Sequence, residues 1–300
     1  MIALITGISG FTGRHLAQHL HTLGFTVVGL AHHSLRAPIA GVARIVCADL
    51  GDPAALTAVF KEVAPDVVIH LAAISFVAHG DAAEIYRVNI VGTRNVLEAL
   101  VHSGTKPRAV LLASSANVYG NAQEGVLSEE AEVAPANDYA VSKLAMEYMA
   151  KLYFDRLPII VVRPFNYTGV GQAENFLLPK IVSHVRRRAP LIELGNLDVA
   201  RDFSDVRMVV AYYARLLQCP EAIGQIVNVC SGKAYTLREV LDMVRALSQH
   251  DFDVQVNPAF VRPNEVRILQ GDRTKLLQLV PDVADIPLED TLRWMIEVPV

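Results

Sequence analysis

Short runs of apolar residues alternate with helical patterns along residues 1–165 of the chain. The runs are rich in Val, Ile, Leu and Ala, and the stretches between them repeat apolar residues with the α-helical period of about 3.6. Strands that are apolar throughout are typical of a parallel sheet with helices on both faces, so we predict a doubly wound α/β fold. The predicted strands are residues 2–6, 26–31, 43–48, 67–71, 109–114 and 159–163, and the predicted helices lie near 11–23, 53–63, 82–102 and 137–155.

The pattern becomes less regular after Pro164, where the loops are rich in Gly, Asn and Pro. We therefore predict a large domain over residues 1–165 and a smaller α/β lobe over residues 166–300, some segments of which return to the first domain. In this second part the predicted helices lie near 174–187, 205–218 and 236–248, and the predicted strands near 190–194, 225–229 and 265–270.

Composition narrows the class of protein. The 300 residues are 52% hydrophobic and 19% charged with a net charge of −4, which offers no electrostatic case for binding nucleic acid or an anionic membrane. No signal-like segment precedes the first strand and no apolar run reaches the ~18 residues of a membrane span, so we expect a cytoplasmic protein. Cys47, Cys219 and Cys230 lack metal-ligand spacing, which predicts no metal site. We expect Cys47 and Cys230, inside apolar runs, to be buried thiols in a reducing compartment.

Three glycines, Gly7, Gly10 and Gly13, join the first predicted strand to the first helix. Glycines in this position allow a tight turn, close approach of the backbone to a pyrophosphate, and close helix–strand packing, while the helix N-terminus offers N–H donors to phosphates. Strand, glycine loop and helix together predict that residues 1–165 form a dinucleotide-binding Rossmann domain. The less regular residues 166–300 are then expected to form the substrate-binding lobe.

The end of the second strand indicates which dinucleotide is bound. A carboxylate at this point would bind the adenosine ribose diol of NAD, but the chain carries His32, Ser34 and Arg36 there and no acid. This favours NADP(H), with NAD(H) as the alternative, although these residues could equally be ordinary loop surface. Asp49, which ends the third strand, is placed to accept from the adenine amino group or else to cap a turn.

Tyr139 and Lys143 are four residues apart on a predicted helix and so share one helix face. An ammonium near a phenol favours its ionised form and lowers its pKa, which allows proton transfer to or from a sugar or alcohol oxygen. The spacing also occurs by chance in many helices, so the pair gains meaning only from its context.

That context is the order of the glycine loop, Ser114-Ser115 and Tyr139-x-x-x-Lys143, supported by residues 70–73, 89–95, 114–120 and 163–166. With these motifs the chain resembles the extended short-chain dehydrogenase/reductase family over nearly its whole length. The resemblance implies a nicotinamide cofactor and a nucleotide-sugar substrate. It implies that Tyr139 is the catalytic acid/base, that Lys143 lowers its pKa and binds the nicotinamide ribose, and that Ser115 hydrogen-bonds the reacting sugar oxygen.

The resemblance also assigns binding residues. The expected cofactor-binding residues are Gly7, Gly10, Phe11, Thr12, Gly13, His32, Arg36, Asp49, Leu50, Leu71, Ala72, Ala73, Asn89, Tyr139 and Lys143, and the expected substrate-binding residues are Asn117, Asn166, Asn175, Lys180, Arg201, Arg262 and Glu265. Residues 195–206 and 262–266 are similar to the nucleotide-sugar-binding segments of family members that handle GDP-mannose derivatives. In that comparison Arg201 and Arg262 contact the diphosphate, and Glu265 accepts a hydrogen bond from a ribose hydroxyl. The alternatives are a salt bridge from Arg201 to Asp202 or Asp205, and a surface charge at Arg262.

Ser115-Ala116-Asn117 indicates the reaction. Similar sugar-nucleotide 4,6-dehydratases carry a glutamate at the third of these positions, and an amide such as Asn117 does not exchange protons near neutral pH. We therefore expect an NADPH-dependent reductase of the C4 keto group of a nucleotide-linked 4-keto-6-deoxy sugar, of the type that converts GDP-4-keto-6-deoxy-D-mannose to GDP-D-rhamnose. The alternative is a 4-epimerase with tightly bound NAD. A GDP-mannose 4,6-dehydratase and a non-catalytic dinucleotide-binding sensor are less favoured.

The predicted helices at 82–102 and 137–155 carry apolar residues on more than one face, including Leu144, Met146, Met149 and Leu152. In relatives this helix pair builds a four-helix interface, which predicts a homodimer. The alternative is that these residues face only the sheet.

Overall fold

The computed structural model describes residues 1–35, 37–75, 80–121, 125–260 and 267–298. The strands are β1 Ile2–Thr6, β2 Thr26–Ala31, β3 Val42–Cys47, β4 Val67–His70, β5 Ala109–Ala113, β6 Gly125–Leu127, β7 Ile159–Pro164, β8 Asn166–Thr168, β9 Leu191–Leu194, β10 Ala200–Asp205, β11 Ile226–Val229, β12 Ala234–Thr236, β13 Asp253–Val256 and β14 Ile268–Gly271. The helices are α1 Phe11–Thr22, α2 Pro53–Val63, α3 Ala82–Tyr86, α4 Thr93–Ser103, α5 Asp138–Lys151, α6 Leu177–Arg186, α7 Val206–Leu216, α8 Leu237–Ser248, α9 Thr274–Leu279 and α10 Leu288–Glu297.

The main sheet is parallel, and within the described residues it has seven strands in the order β11-β7-β5-β4-β1-β2-β3. One apolar core packs α1 and α7 against one face, and a second packs α2, α4 and α5 against the other. The predicted doubly wound α/β fold is thus confirmed. Strand order reverses between β1 and β4, and in such sheets ligands bind beyond the carboxyl ends of the strands at this switch point.

The chain leaves the main sheet and later returns to it. After Pro164 it leaves the main sheet, but α7 then packs on α1, and β11 pairs in parallel with β7. β11 therefore belongs to the main sheet and α7 packs beside it, while the division into two lobes stays a prediction. A smaller sheet, β12-β10-β14-β6 with β8 paired to β10, stands beside a third core formed largely by α6, α8 and α10.

Local details modify two predictions. The predicted helix at 82–102 is divided into α3 and α4 by a π-helical segment, Arg87–Gly92. Cys47 is exposed, so the expectation of a buried thiol was wrong there, because β3 is the last strand of the sheet. The Asp52 side chain caps α2 by accepting from the Ala54 and Ala55 amides, with Pro53 as the first helical residue.

Across the described ranges, no helix combines the length and apolar composition that a bilayer crossing requires.

Candidate active site

The glycine loop packs tightly between the end of β1 and the start of α1. Gly7 adopts φ +70°, and a Cβ there would lie 2.7 Å from the Ala72 nitrogen. A Cβ at Gly13 would lie 2.5 Å from the Gly7 carbonyl oxygen. The Gly10 amide donates to the Gly7 carbonyl at 3.0 Å, and α1 begins at the next residue. The loop therefore brings a helix N-terminus to the switch point of the sheet, the arrangement that suits a pyrophosphate.

A buried chain of hydrogen bonds holds the segment after β4 against which the glycine loop packs. Thr93 Oγ1 donates to the Asn89 carbonyl at 2.7 Å, so it accepts from His70 Nε2 at 2.9 Å. His70 Nδ1 then accepts from Thr6 Oγ1 at 2.8 Å, and the Thr6 oxygen accepts from the Leu71 and Ala72 amides. Burial, with a smaller effect of the charge of Lys143, lowers the pKa of His70 to about 3. The imidazole is therefore neutral and has one tautomer.

This arrangement predicts an acid-sensitive fold. Because the folded-state pKa of His70 lies below the ordinary value of 6.5, the unfolded chain takes up the proton first as pH falls. Stability from neutral His70 is complete above pH 6.5 and is lost progressively towards pH 3. We expect the free energy of unfolding to fall by about 3 kcal/mol from this group between pH 7 and pH 4. Urea unfolding at several pH values measures it.

His70→Asn should remove this component of the pH slope, whereas His21→Gln, at an exposed histidine of α1, should retain it. An unchanged slope in His70→Asn would show that the group does not titrate on unfolding.

A cleft of about 1040 Å³ opens over the glycine loop and the carboxyl ends of the central strands. This volume is at the upper end of the range of ligand sites. Of the residues predicted from sequence, the structure brings together along its walls Gly7, Gly10, Phe11, Thr12, Gly13, His32, Asp49, Leu50, Leu71, Ala72, Ala73, Ser115, Asn117, Tyr139, Lys143 and Asn166.

At the end of the cleft beside β2 and β3, two predicted cofactor residues contact each other. His32 Nε2 lies 3.0 Å from Asp49 Oδ2, and Asp49 Oδ1 accepts from the Gly51 amide at 2.7 Å. The Gly51 amide and His32 hold the pKa of Asp49 below its ordinary value. Glu84 and Arg87 also line this end and were not found from sequence, because no motif marks them. Arg36 lies outside the described residues.

Asn89 does not line the cleft in the described part of the chain, which differs from its predicted place against the cofactor. It is buried, its Oδ1 accepts from the Ile74 amide, and its Nδ2 donates to the Ile74 carbonyl and to Ser142 Oγ. Ser142 Oγ in turn donates to the Tyr139 carbonyl. Asn89 therefore links the loop after β4 to the helix that carries Tyr139.

Ser115, Tyr139 and Lys143 meet at the other end of the cleft. Ser115 Oγ accepts from the Asn117 amide at 3.2 Å and begins a 3-10 turn, Ala116–Tyr119. Lys143 Nζ lies 5.9 Å from the centre of the Tyr139 ring and donates to the Ala113 carbonyl at 2.7 Å. The spacing of four residues thus places phenol and ammonium side by side, as their positions on α5 require.

The predicted lowering of the Tyr139 pKa by Lys143 is corrected by the structure. Burial raises the pKa of Tyr139, Tyr167 adds to the rise, and a hydrogen bond with Ser115 offsets only part of it. Burial dominates because the phenol is just 8% exposed. Burial also lowers the pKa of Lys143 to about 8, against an opposing effect of Glu147. At neutral pH the site therefore holds a neutral phenol, ready to donate a proton, beside a largely protonated amine.

Tyr167 is a cleft residue that sequence reasoning missed. Its hydroxyl lies 2.8 Å from Thr12 Oγ1, and its ring stacks on Phe11 with centroids 6.1 Å apart. The signal available was its place directly after Asn166 in the 163–166 motif. Tyr167 connects the glycine loop to the substrate side of the cleft.

Only some of the predicted substrate-binding residues line the cleft. Asn117 and Asn166 line the cleft, and Asn166 Nδ2 donates to the Asp202 carbonyl at 3.4 Å. Three others are not among the residues of its walls: Asn175 is exposed, Lys180 Nζ donates to the Glu193 carbonyl, and Arg201 Nη1 donates to the Ala200 carbonyl. Arg262 and Glu265 lie outside the described residues.

The acids that line the described part of the cleft lie at its end beside β2 and β3. Among the described lining residues, the carboxylates are Asp49 and Glu84. Around Ser115 and Tyr139 the polar lining residues are hydroxyls, amides and an ammonium: Ser114, Asn117, Lys143, Asn166 and Tyr167. At the end that holds Ser115 and Tyr139, the described walls therefore offer proton transfer by a phenol and no carboxylate for removing a carbon-bound proton.

This fold and site define an oxidoreductase of the extended short-chain dehydrogenase/reductase type. The profile of the family described as GDP-mannose 4,6 dehydratase matches residues 4–292, and the chain belongs to that family. It is an enzyme.

Two relatives of known activity cover nearly the whole chain. A GDP-6-deoxy-D-mannose reductase from Pseudomonas aeruginosa is 34% identical over 96% of this chain and 94% of its own length. A GDP-6-deoxy-D-talose 4-dehydrogenase from Aggregatibacter actinomycetemcomitans is 32% identical over 93% of this chain and 91% of its own.

Two solved structures resemble the chain closely. A Burkholderia cenocepacia J2315 protein provisionally called an epimerase is 50% identical with a TM-score of 0.93, and the match covers 98% of this chain and 96% of that one. RMD from Pseudomonas aeruginosa, complexed with NADPH, is 30% identical with a TM-score of 0.85, over 98% and 97% of the two chains.

Proposed function

We propose that this enzyme uses NADPH to reduce the C4 keto group of a GDP-linked 4-keto-6-deoxy sugar, forming GDP-D-rhamnose from GDP-4-keto-6-deoxy-D-mannose. The observation that carries the proposal is the neutral Tyr139 phenol beside Ser115 and Lys143, in a cleft whose described walls hold no carboxylate at that end. A C4 reduction needs one proton donor, whereas a 4,6-dehydration also needs a base for the C5 proton.

The residues present fit a nicotinamide dinucleotide, since a glycine loop without room for Cβ atoms meets a helix N-terminus at the cleft. When bound, the dinucleotide supplies the hydride that adds to C4. Ser115 donates its O–H to the C4 oxygen, because a keto oxygen can only accept, while its Oγ accepts from the Asn117 amide. Tyr139 gives that oxygen its proton as the carbonyl becomes a hydroxyl. The phenolate left behind is stabilised by the Lys143 ammonium.

NADPH is favoured over NADH by two independent lines. No acid follows β2 to bind a ribose diol, and Asp49 is engaged by His32 and the Gly51 amide. The related RMD binds NADPH. NAD(H) remains the alternative.

The names of the two relatives support GDP as the nucleotide and C4 as the reacting carbon. A panel of GDP-, dTDP- and UDP-linked 4-keto-6-deoxy sugars, each with NADPH or NADH, tests the proposal through the loss of reduced-cofactor absorbance. Product NMR separates a D-rhamnose from a 6-deoxy-D-talose configuration at C4. No oxidation of NADPH with any GDP-linked keto sugar would eliminate the proposal.

The 4-epimerase alternative has a different signature, and the provisional epimerase naming of one similar structure gives it a specific reason. An epimerase would purify with bound NAD and would interconvert C4 epimers without added cofactor. A dehydratase would consume GDP-mannose, and a sensor would bind the dinucleotide without turnover.

We propose that the protein is a homodimer through α5 and its neighbours. Of the four residues expected at the interface, Met146 is buried in the core, and Leu144 and Met149 pack partly against apolar clusters. Leu152, directly after the end of α5, is 74% exposed and extends a stripe that includes Tyr148 and Val141 of that helix. An exposed apolar stripe of this kind is typical of an interaction surface.

Leu152→Glu is expected to shift the protein from dimer to monomer, because it places two carboxylates at a symmetric apolar contact. Light scattering measures the mass. Leu23→Glu, at an exposed leucine after α1, is the matched control and should leave the dimer intact. A monomer mass for the unaltered protein would contradict the proposal.

Cytoplasmic residence is also a proposal. All three cysteines, Cys47, Cys219 and Cys230, are free thiols, which fits a reducing compartment. Fractionation of the source cells would test it.

A further inference from the structure

A buried ion pair lies one helical turn beyond Lys143. Glu147 and Arg163 are 2% and 4% exposed, and Arg163 bridges both carboxylate oxygens, Nε to Oε1 at 2.9 Å and Nη2 to Oε2 at 2.7 Å. Ser114 Oγ donates to the same Oε1 at 2.5 Å. The carboxylate is thus fixed by three hydrogen bonds from β7 and from the strand end that leads into Ser115.

Burying such a pair is costly for the fold. The free-energy cost of removing two charges from water offsets most of the attraction between them. A well-packed apolar pair is often at least as stable. Stability alone therefore gives little reason for a carboxylate at residue 147. Its position suggests another reason, because i and i+4 on α5 place Glu147 on the same face as Lys143.

A buried amine such as Lys143 stays protonated more readily when an anion lies nearby. Its Nζ donates to the Ala113 carbonyl, a neutral acceptor, and the side chain is 5% exposed. The titratable groups facing it are Tyr139 and Glu147 from α5 and His70 from β4, with Arg163 of β7 held against Glu147. Tyr139 and His70 are neutral at pH 7, since burial raises the pKa of the first and lowers that of the second. Among these groups Glu147 is the one anion.

We propose that Glu147 is a positioning residue of this site: anchored by Arg163 and Ser114, its carboxylate keeps the buried Lys143 amine charged and directed at the Ala113 carbonyl next to Tyr139. The kinetic consequence rests on the proposed reductase function, but the charge on Lys143 does not. When Tyr139 gives up its proton, a charged Lys143 stabilises the phenolate and a neutral one does not.

The direct test is an NMR titration of the full-length protein labelled in lysine, which follows the Lys143 side chain without any substrate. Lys143→Arg identifies its resonance. Burial, opposed by Glu147, lowers the pKa of Lys143 to about 8 in the unaltered protein. In Glu147→Gln we expect the midpoint to fall by about one pH unit, because a nearby anion favours the ammonium form. The alkaline limb of the kcat/KM profile for keto-sugar reduction should move by the same amount.

Glu147→Gln leaves Arg163 buried and unpaired, which can prevent folding. The double variant Glu147→Gln/Arg163→Gln removes both charges while keeping amide donors and acceptors, and a downward shift of the Lys143 midpoint is expected there too. The matched control is Tyr119→Phe, which removes a buried hydroxyl that accepts from Arg163 Nη1 at 3.1 Å but leaves both charges. Its midpoint should stay within about 0.3 pH units of the original.

The outcomes separate the two ideas. A shifted Lys143 titration in a protein inactive on every keto sugar supports the inference and removes the proposed function. An unshifted midpoint in the double variant, or an equal shift in Tyr119→Phe, overturns the inference even if the enzyme reduces its substrate.

Discussion

Replacing Tyr139 with phenylalanine is expected to lower kcat/KM for reduction of the keto sugar by about 10²–10⁴-fold, the usual contribution of a positioned general acid. The ring is 8% exposed and packed, so the variant keeps the shape of the site and loses only the hydroxyl. Burial raises the pKa of this phenol, so the unaltered enzyme carries the proton at neutral pH. Stopped-flow or steady-state oxidation of NADPH measures the loss, and fluorescence titration should show nearly unchanged NADPH binding.

Tyr167→Phe is the matched control for this loss. It removes a second phenolic hydroxyl from the same cleft, one that lies 2.8 Å from Thr12 Oγ1. Because this hydroxyl positions the loop and is not required to donate a proton, kcat/KM should fall by less than about tenfold. Activity of Tyr139→Phe within threefold of the unaltered enzyme would remove Tyr139 from the mechanism.

Replacing Gly7 with alanine is expected to weaken dinucleotide binding by about 10–100-fold or more. The new Cβ would lie 2.7 Å from the Ala72 nitrogen and 2.9 Å from its Cα, both backbone atoms that cannot rotate away. The loop after β1 must then move from the end of β4, and overpacking of this kind costs about 1–3 kcal/mol. The movement displaces amides that would meet the pyrophosphate. Fluorescence titration with NADPH measures the affinity.

Gly24→Ala separates this steric effect from backbone strain. Gly24 has φ +82°, close to the +70° of Gly7, but nothing lies within 4 Å of a Cβ built there. In both variants the positive φ destabilises the alanine by about 1 kcal/mol or more, but only in Gly7→Ala does the new Cβ clash with backbone atoms. Gly24→Ala should therefore lose stability and keep NADPH affinity. Equal affinities in the two variants would show that the predicted pyrophosphate site is misplaced.

Much of the fold and part of the candidate site could be predicted from local sequence pattern. Continuous apolar runs between amphipathic helices predicted the parallel sheet, and the glycine spacing predicted a strand–loop–helix turn at Gly7–Gly13. Tyr139 and Lys143 were placed on one face because helical geometry depends only on spacing. These features depend on neighbours in sequence, which is why the chain alone is enough to predict them.

Other features depend on residues that are distant in sequence. The Asn89 side chain hydrogen-bonds both the Ile74 backbone and Ser142. The Glu147 carboxylate of α5 is held by Arg163 of β7 and by Ser114, which follows β5. The local periodicity of the sequence does not indicate whether a polar side chain is hydrogen-bonded within the protein or faces a ligand. Burial of Asn89 was therefore visible only after the π-helical turn Arg87–Gly92 was placed against α5.

Electrostatics shows the same division. The sequence identified the phenol and the amine and, from their spacing, predicted a lowered pKa for Tyr139. The folded chain reversed that direction, because desolvation scales with the depth of burial under surrounding elements, which no spacing encodes. Residue identities and helical spacing were enough to name the proton-transfer pair, while the packing of β4, β7 and α5 around it decided which partner holds the proton at neutral pH.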